Sequence, residues 1–253
     1  MSSFDTIALA YDDAIDWEAR LAREIPFLLS RVGSPKGKRV LDLACGTGRH
    51  SVALALEGVE VVGIDKSETM IQRAVENAKA KRVSPKFILG EMSEFQSITE
   101  DQYDMVICLG NSLALVDDFE TVQFVLSSVH GSLVDDGVFI AQTLNFEEIH
   151  RTGFRFFPQK AGKMSNGEDV VFSRFYDHTD PPRASTLVMS AQTKVDGKWT
   201  SRISTQKVLN LNSTLLKRYL AQAGFQETRF YSDYSGSLFV GSDDRNIVIH
   251  SRR

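Results

Sequence analysis

Apolar residues recur at helical spacing through Ile15, Leu21, Ile25, Leu28, Leu29 and Val32, and the pattern stops at the Gly33-Ser-Pro-Lys-Gly37 breaker. A short apolar run at 39–44 then predicts a buried strand, followed by a glycine turn and a helix over 51–57. The same grammar repeats as a strand over 60–64 and a helix over 67–81, then strands over 86–89 and 103–108. A helix over 119–133 leads to a fifth strand at 137–142. These strands are continuously apolar, as expected when both faces of a parallel sheet are covered by helices. The right-handed crossover then predicts a doubly wound α/β fold.

The pattern changes after residue 150. Segments 169–178, 185–195 and 198–209 alternate at period two and are rich in Val, Thr, Phe and Tyr, and Asp196-Gly197 between the last two is a hairpin signal. They predict an antiparallel β insertion after the fifth strand, spanning residues 151–210. A helix over 213–223, ended by Gly224, and strands over 227–231 and 246–250 return to the main sheet. The expected organisation is a seven-stranded, mostly parallel main unit from 1–150 and 211–253, with the insertion at its ligand-binding edge. There it serves as a lid or substrate wall, or as a homodimer surface.

Composition narrows the class. With 253 residues and 42% hydrophobic side chains, the chain is long enough to bury a core and is not a disordered segment. Its 29 Lys+Arg against 33 Asp+Glu leave a net charge of −4, which argues against a nucleic-acid partner. No apolar run approaches the roughly 18 residues of a membrane span, and no basic-then-apolar leader opens the chain. Cys45 and Cys108 are too few for a disulfide framework, so a cytoplasmic location is expected. The histidines lack ligand spacing, and no metal site is expected.

The chemistry concentrates in Val40-Leu-Asp-Leu-Ala-Cys-Gly-Thr-Gly48, a buried strand turning sharply into a helix. Gly46 and Gly48 permit positive φ and close approach of backbone to a ligand. The helix start offers free N–H groups to an anion. An acid at the tip of the next strand, Asp65, stands where a carboxylate accepts the hydroxyls of a ribose. Together they indicate nucleoside binding. A dinucleotide fingerprint requires a third glycine where Ser51 stands. Asp42 suits an ammonium or a sulfonium better than a diphosphate, which points to S-adenosyl-L-methionine.

These residues resemble a known family. Leu41-Asp-Leu-Ala-Cys-Gly-Thr-Gly48, Gly63-Ile-Asp65, Gly90-Glu-Met92 and Tyr103-Asp-Met-Val-Ile-Cys108 are similar to the successive motifs of class I S-adenosylmethionine-dependent methyltransferases. Ile107-Cys-Leu-Gly-Asn-Ser112 and Asn246-Ile-Val-Ile-His250 resemble the glycine N-methyltransferase branch. The resemblance implies that Ala44, Cys45 and Gly46 line the methionine moiety and Asp42 faces its ammonium. It implies that Asp65, with Lys66 beside it, takes the ribose and that Glu91 and Met92 bind adenine, with Met70 against the ring. Leu109 and Gly110 would pass the sulfonium and Tyr11 would close over the cofactor.

One departure stands out. Glycine methyltransferases carry His-Arg-Asn after the fifth strand, and that arginine clamps the substrate carboxylate, but this chain has Thr143-Leu-Asn145. Leu144 cannot do so. The expected activity is therefore methyl transfer to a different small-molecule acceptor, preferably an amine nitrogen. Asn111, Ser112, Asn145 and Tyr11 are the expected orienting residues. The competing readings are a methyltransferase acting on RNA or protein, and a cofactor-binding protein without activity.

Overall fold

The computed structural model describes Ile7, Asp12 and residues 15–99, 101–163, 167–178, 183–195 and 197–253. Helix α1 (Trp17–Val32) begins at Asp16, whose side chain accepts from the Ala19 N–H, and ends at Gly33. Then β1 (Arg39–Leu43), α2 (Arg49–Leu56), β2 (Glu60–Asp65), α3 (Glu68–Lys81) and β3 (Lys86–Leu89) alternate as expected. After a single turn, α4 (Phe95–Ile98), come β4 (Tyr103–Cys108), a 3-10 turn at Ser112–Leu115, α5 (Phe119–Ser132) and β5 (Leu133–Leu144). The chain returns through α7 (Ser213–Ala223), β10 (Glu227–Tyr231) and β11 (Asn246–Arg252).

The main sheet has the order β10-β11-β5-β4-β1-β2-β3. Only β11 runs against its neighbours β5 and β10; the other pairs are parallel. The order reverses between β1 and β4, which opens a crevice at the carboxyl ends of those two strands. Strand residues alternate between two cores. Val106, Phe139 and Ile249 pack with α5 and α7, while Met105, Ile140 and Val248 pack beneath α1 and α2. This burial on both faces is why these strands read as unbroken apolar runs.

The excursion is a second, four-stranded antiparallel sheet in the order β6-β7-β8-β9. It comprises β6 (Lys160–Lys163), β7 (Asp169–Asp177), β8 (Ala184–Val195) and β9 (Lys198–Leu209). Val170, Phe172, Met189 and Ala191 on one face enclose Ile7.

Several elements depart from the expectation, among them α4 and β6, which the periodicity does not assign. Strand β5 begins directly at the end of α5, and it runs on to Leu144. Helix α6 (Phe146–Thr152), which the periodicity does not assign, starts at Asn145, whose side chain accepts from the Glu147 N–H. Its first turn carries Glu147 and Glu148, and Gly153 closes it at φ 64°.

Candidate active site

The crevice between β1 and β4 continues into a cavity of about 690 Å³. The β1–α2 loop forms its floor with the residues from Ala44 to Thr47, and it carries three alternate positive-φ positions: Ala44 at 57°, Gly46 at 55° and Gly48 at 70°. Ala44 is a non-glycine residue in the left-handed region, a cost that the surrounding structure must hold in place. The two glycines do different work. A Cβ at Gly46 would meet no atom within 4 Å, so this backbone borders open space. One at Gly48 would lie 2.7 Å from the Phe87 ring and 2.8 Å from the Ala74 methyl. Gly48 does not line the cavity. Its missing Cβ lets the loop settle on α3 and β3.

Asp65 ties the loop to the second strand. Its Oδ2 accepts from the Gly46 N–H at 2.8 Å and its Oδ1 from the Ser67 N–H at 2.9 Å. Both oxygens are thereby oriented and keep lone pairs for a ligand's hydroxyls. Burial raises its carboxyl above the ordinary range, against the pull of those N–H groups. Lys66, Met70, Glu91 and Met92 line the same cavity, with Leu109 and Gly110 opposite. Asp42 lines it as well, 3% exposed, with its Oδ2 accepting from the Ser51 hydroxyl at 2.6 Å. Burial pushes Asp42 up to about 6, His50 and Ser51 counteracting. The residue that breaks the dinucleotide pattern is thus the partner of this acid.

Cys45 lines the cavity and its thiol is pushed well above the usual range by burial and the nearby Asp42 and Asp65. Burial pushes Cys108 to about 12. Neither is a nucleophile near neutral pH.

One wall is invisible in the sequence motifs. Trp17 and Arg20 from α1 and His50 from α2 all line the cavity. Glu24, one turn beyond Arg20, accepts from Arg20 Nε at 2.9 Å and lies 2.5 Å from His50 Nε2. Burial pushes Glu24 upward, but His50 and Arg20 carry it below the ordinary glutamate range. Asp12 adds a second tie: it accepts from the Thr47 hydroxyl at 2.6 Å and pairs with Arg49 at 3.2 Å. Arg49 and His50 look like first-turn surface residues, yet His50 is buried against α1. Glu24 and His50 lie 26 residues apart, so only the packing of α1 across α2 reveals their pairing.

Beyond Gly110, the cavity is bounded by Ser112, Leu115, Val116, Asp117 and Thr121, with Arg174 reaching in from β7. Arg174 lies flat on Phe157, 4.0 Å from its ring centre. Of the expected orienting residues, Ser112 alone is seen on the cavity wall. Asn111 and Asn145 are not part of that wall. Asn111 sits in the left-handed region at φ 66° and its Oδ1 accepts from the Leu144 N–H at 2.8 Å, clamping the ends of β4 and β5. Asn145 is fully buried; besides capping α6, it donates to the Gly241 and Asp244 carbonyls. Tyr11 falls outside the described residues.

The cradle suits S-adenosyl-L-methionine. It combines open backbone at Gly46, the oriented acid Asp65, the apolar Ile64 and Met70 beside Glu91, and the buried acid Asp42, a set that could receive a diol, an adenine and an ammonium.

Comparison with known proteins agrees. The family profile described as "Methyltransferase domain" matches residues 34–196. The glycine/sarcosine/dimethylglycine N-methyltransferase of Actinopolyspora halophila is 30% identical over 246 residues, covering 95% of this chain but only 40% of that protein. The glycine/sarcosine N-methyltransferase of Aphanothece halophytica is 28% identical over 245 residues, 95% of this chain and 85% of its own. Among solved structures, S-adenosylmethionine-bound CalS10, an amino pentose methyltransferase from Micromonospora echinaspora, superposes with a TM-score of 0.71 at 17% identity. That alignment covers 96% of this chain and 95% of CalS10. The chain belongs to the methyltransferase domain family, as a class I S-adenosylmethionine-dependent methyltransferase near the glycine N-methyltransferase branch.

Proposed function

We propose that the protein methylates an amine nitrogen of a small-molecule acceptor held between Ser112, the Leu115–Asp117 segment and Arg174. The observation that carries this reading is the continuity of the cavity: the residues past Gly110 extend the cofactor cradle into a chamber of metabolite size. S-adenosylmethionine supplies a methyl group on a sulfonium, whose departure leaves a neutral thioether. The protein's task is alignment, holding the acceptor atom roughly 3 Å from that methyl and in line with it.

Ser112 supports a nitrogen nucleophile. Its hydroxyl proton is committed to the Leu109 carbonyl at 2.8 Å, so toward the cavity it offers lone pairs, the complement of an amine N–H. Asp117 adds a carboxylate at the rim. Residues 151–210 act in this reading as the wall that carries Arg174. The cavity lining holds six carboxylates (Asp12, Asp42, Asp65, Glu68, Glu91, Asp117) against the three cations Arg20, Lys66 and Arg174. That balance disfavours a polyanionic RNA acceptor. The named relatives are glycine/sarcosine N-methyltransferases, and by the resemblance Leu144 stands where they carry the substrate-clamping arginine, which favours an amine other than glycine.

The deciding experiment supplies methyl-labelled S-adenosylmethionine with separate panels of small amines, small hydroxyl compounds, total RNA and a protein mixture. Label in a small amine is expected. Label confined to RNA, protein or an oxygen product, or no transfer to any panel, overturns the proposal.

A further inference from the structure

We infer that Arg31, Arg229 and Arg252 form a binding site for a phosphate-type oxyanion, on the face of β10 and β11 beneath the end of α1. Tyr231 on β10 and Val248 on β11 belong to the core under α1. At period two from them, Arg229, His250 and Arg252 share that face, and Arg229 stands directly opposite His250 in the register. Arg31, in the last turn of α1, lies over the Phe27 ring at 4.7 Å and the Tyr231 ring at 5.3 Å. Both rings hold its guanidinium against the two strands. The positive charges of all three arginines act on the His250 ring.

None of the three guanidiniums has an ion pair or a hydrogen bond among the described residues. Glu227 faces Arg252 in the register without pairing to it. Two nitrogens behind them are buried and unpartnered, Arg31 Nε and His250 Nε2. Like charges brought together repel, and buried polar atoms without partners are rare in native structures. A single anion answers both costs. A carboxylate offers two oxygens in a plane, whereas guanidiniums arriving from three elements suit the tetrahedral oxygens of a phosphate. The site is separate from the cofactor cradle: Arg252 pairs with Val138 in the first half of β5, while the crevice opens at the carboxyl ends of β1 and β4.

Inorganic phosphate and the phosphoryl group of a metabolite share this chemistry. Calorimetry on the purified chain would titrate inorganic phosphate and glycerol 3-phosphate against chloride at equal ionic strength, with and without saturating S-adenosylhomocysteine. Phosphate is expected to bind in both conditions. Tighter binding of the ester would identify a metabolite as the source, and equal or weaker binding the free ion. Arg229→Gln, a change at an exposed residue, should weaken phosphate at least about tenfold and leave S-adenosylhomocysteine unchanged. Arg229→Glu would supply the anion from the chain itself. Its unfolding midpoint in chloride should rise by roughly 2–4 °C, and phosphate should no longer shift it. No heat beyond that of chloride, displacement of phosphate by S-adenosylhomocysteine, or wild-type phosphate affinity in Arg229→Gln overturns the inference. Those outcomes leave the methyl-transfer reading untouched.

Discussion

Asp65 ties the β1–α2 loop to the end of β2 and lines the cavity, so its replacement is expected to have two separable effects. Asp65→Ala strands the Gly46 and Ser67 N–H groups, which is expected to cost about 1–3 kcal/mol of stability. It also removes the acceptor for a ribose diol, so calorimetry should show S-adenosylhomocysteine affinity falling at least about tenfold. A folded variant with undiminished affinity would show that the diol lies elsewhere. Asn111 should behave in the opposite way. Asn111→Gly keeps the positive φ at no steric cost but loses the bond from the Leu144 N–H. Urea unfolding should register a loss of about 1 kcal/mol, with nucleoside affinity unchanged. Asp65 closes β2 and Asn111 comes just after β4, both at the carboxyl edge of the sheet, yet one lines the cavity and the other reaches across to the next strand. A residue's place in a motif fixes where its backbone goes; the choice between ligand and neighbour is made by side-chain geometry.

At the scale of elements, strand β11 shows how burial writes a pH dependence into the sheet. His250 is 7% exposed, opposite Arg229 on β10 and Ile140 on β5, and burial with Arg31, Arg252 and Arg229 lowers it from 6.5 to about 4. A histidine lowered in the folded state binds its proton more readily when unfolded, so its contribution is intact above 6.5 and lost as pH falls toward 4. The difference in unfolding free energy between pH 7 and pH 5 should therefore shrink in His250→Gln, and an unchanged difference would remove His250 from the acid limb. The elements themselves were largely legible: β3, β4, β9, α7 and β10 occupy the residues that periodicity assigns. Helix α6 was missed because its seven residues are too few to display a period, although Asn145 ahead of Glu147 and Glu148, with Gly153 after, spelled a capped helix. The Gly-loop and its acid were legible because one short crossover fixes both. The Arg20–Glu24–His50 wall was not, because it depends on how α1 lies across α2.

Over the whole molecule, the insertion sheet contributes Arg174 to the cavity wall, and a polar chain links it to the main unit. The ring of His178 on β7's exit lies 4.8 Å from that of His150 on α6. Between them, His178 Nδ1 meets the Ser185 hydroxyl at 2.8 Å, Ser185 donates to Asn210 Oδ1 at 2.9 Å, and Asn210 Nδ2 lies 2.9 Å from His150 Nε2. His178 stacks on Tyr176, which packs edge-on to Phe157, the ring that carries Arg174. The chain thus runs from α6 to Arg174 on the cavity wall. Asn210 is 4% exposed and joins both halves, so Asn210→Ala leaves Ser185 and His150 short of a partner at a cost of about 1–3 kcal/mol. That loss belongs to the contact between insertion and main sheet. Hydrogen exchange should therefore rise across β7, β8 and β9 while β1, β4 and β5 stay protected, and S-adenosylhomocysteine should bind as before. Faster exchange spread evenly over both sheets would mean that the insertion opens only when the entire molecule does, and the wall that presents Arg174 would then have no mobility of its own through which to admit an acceptor.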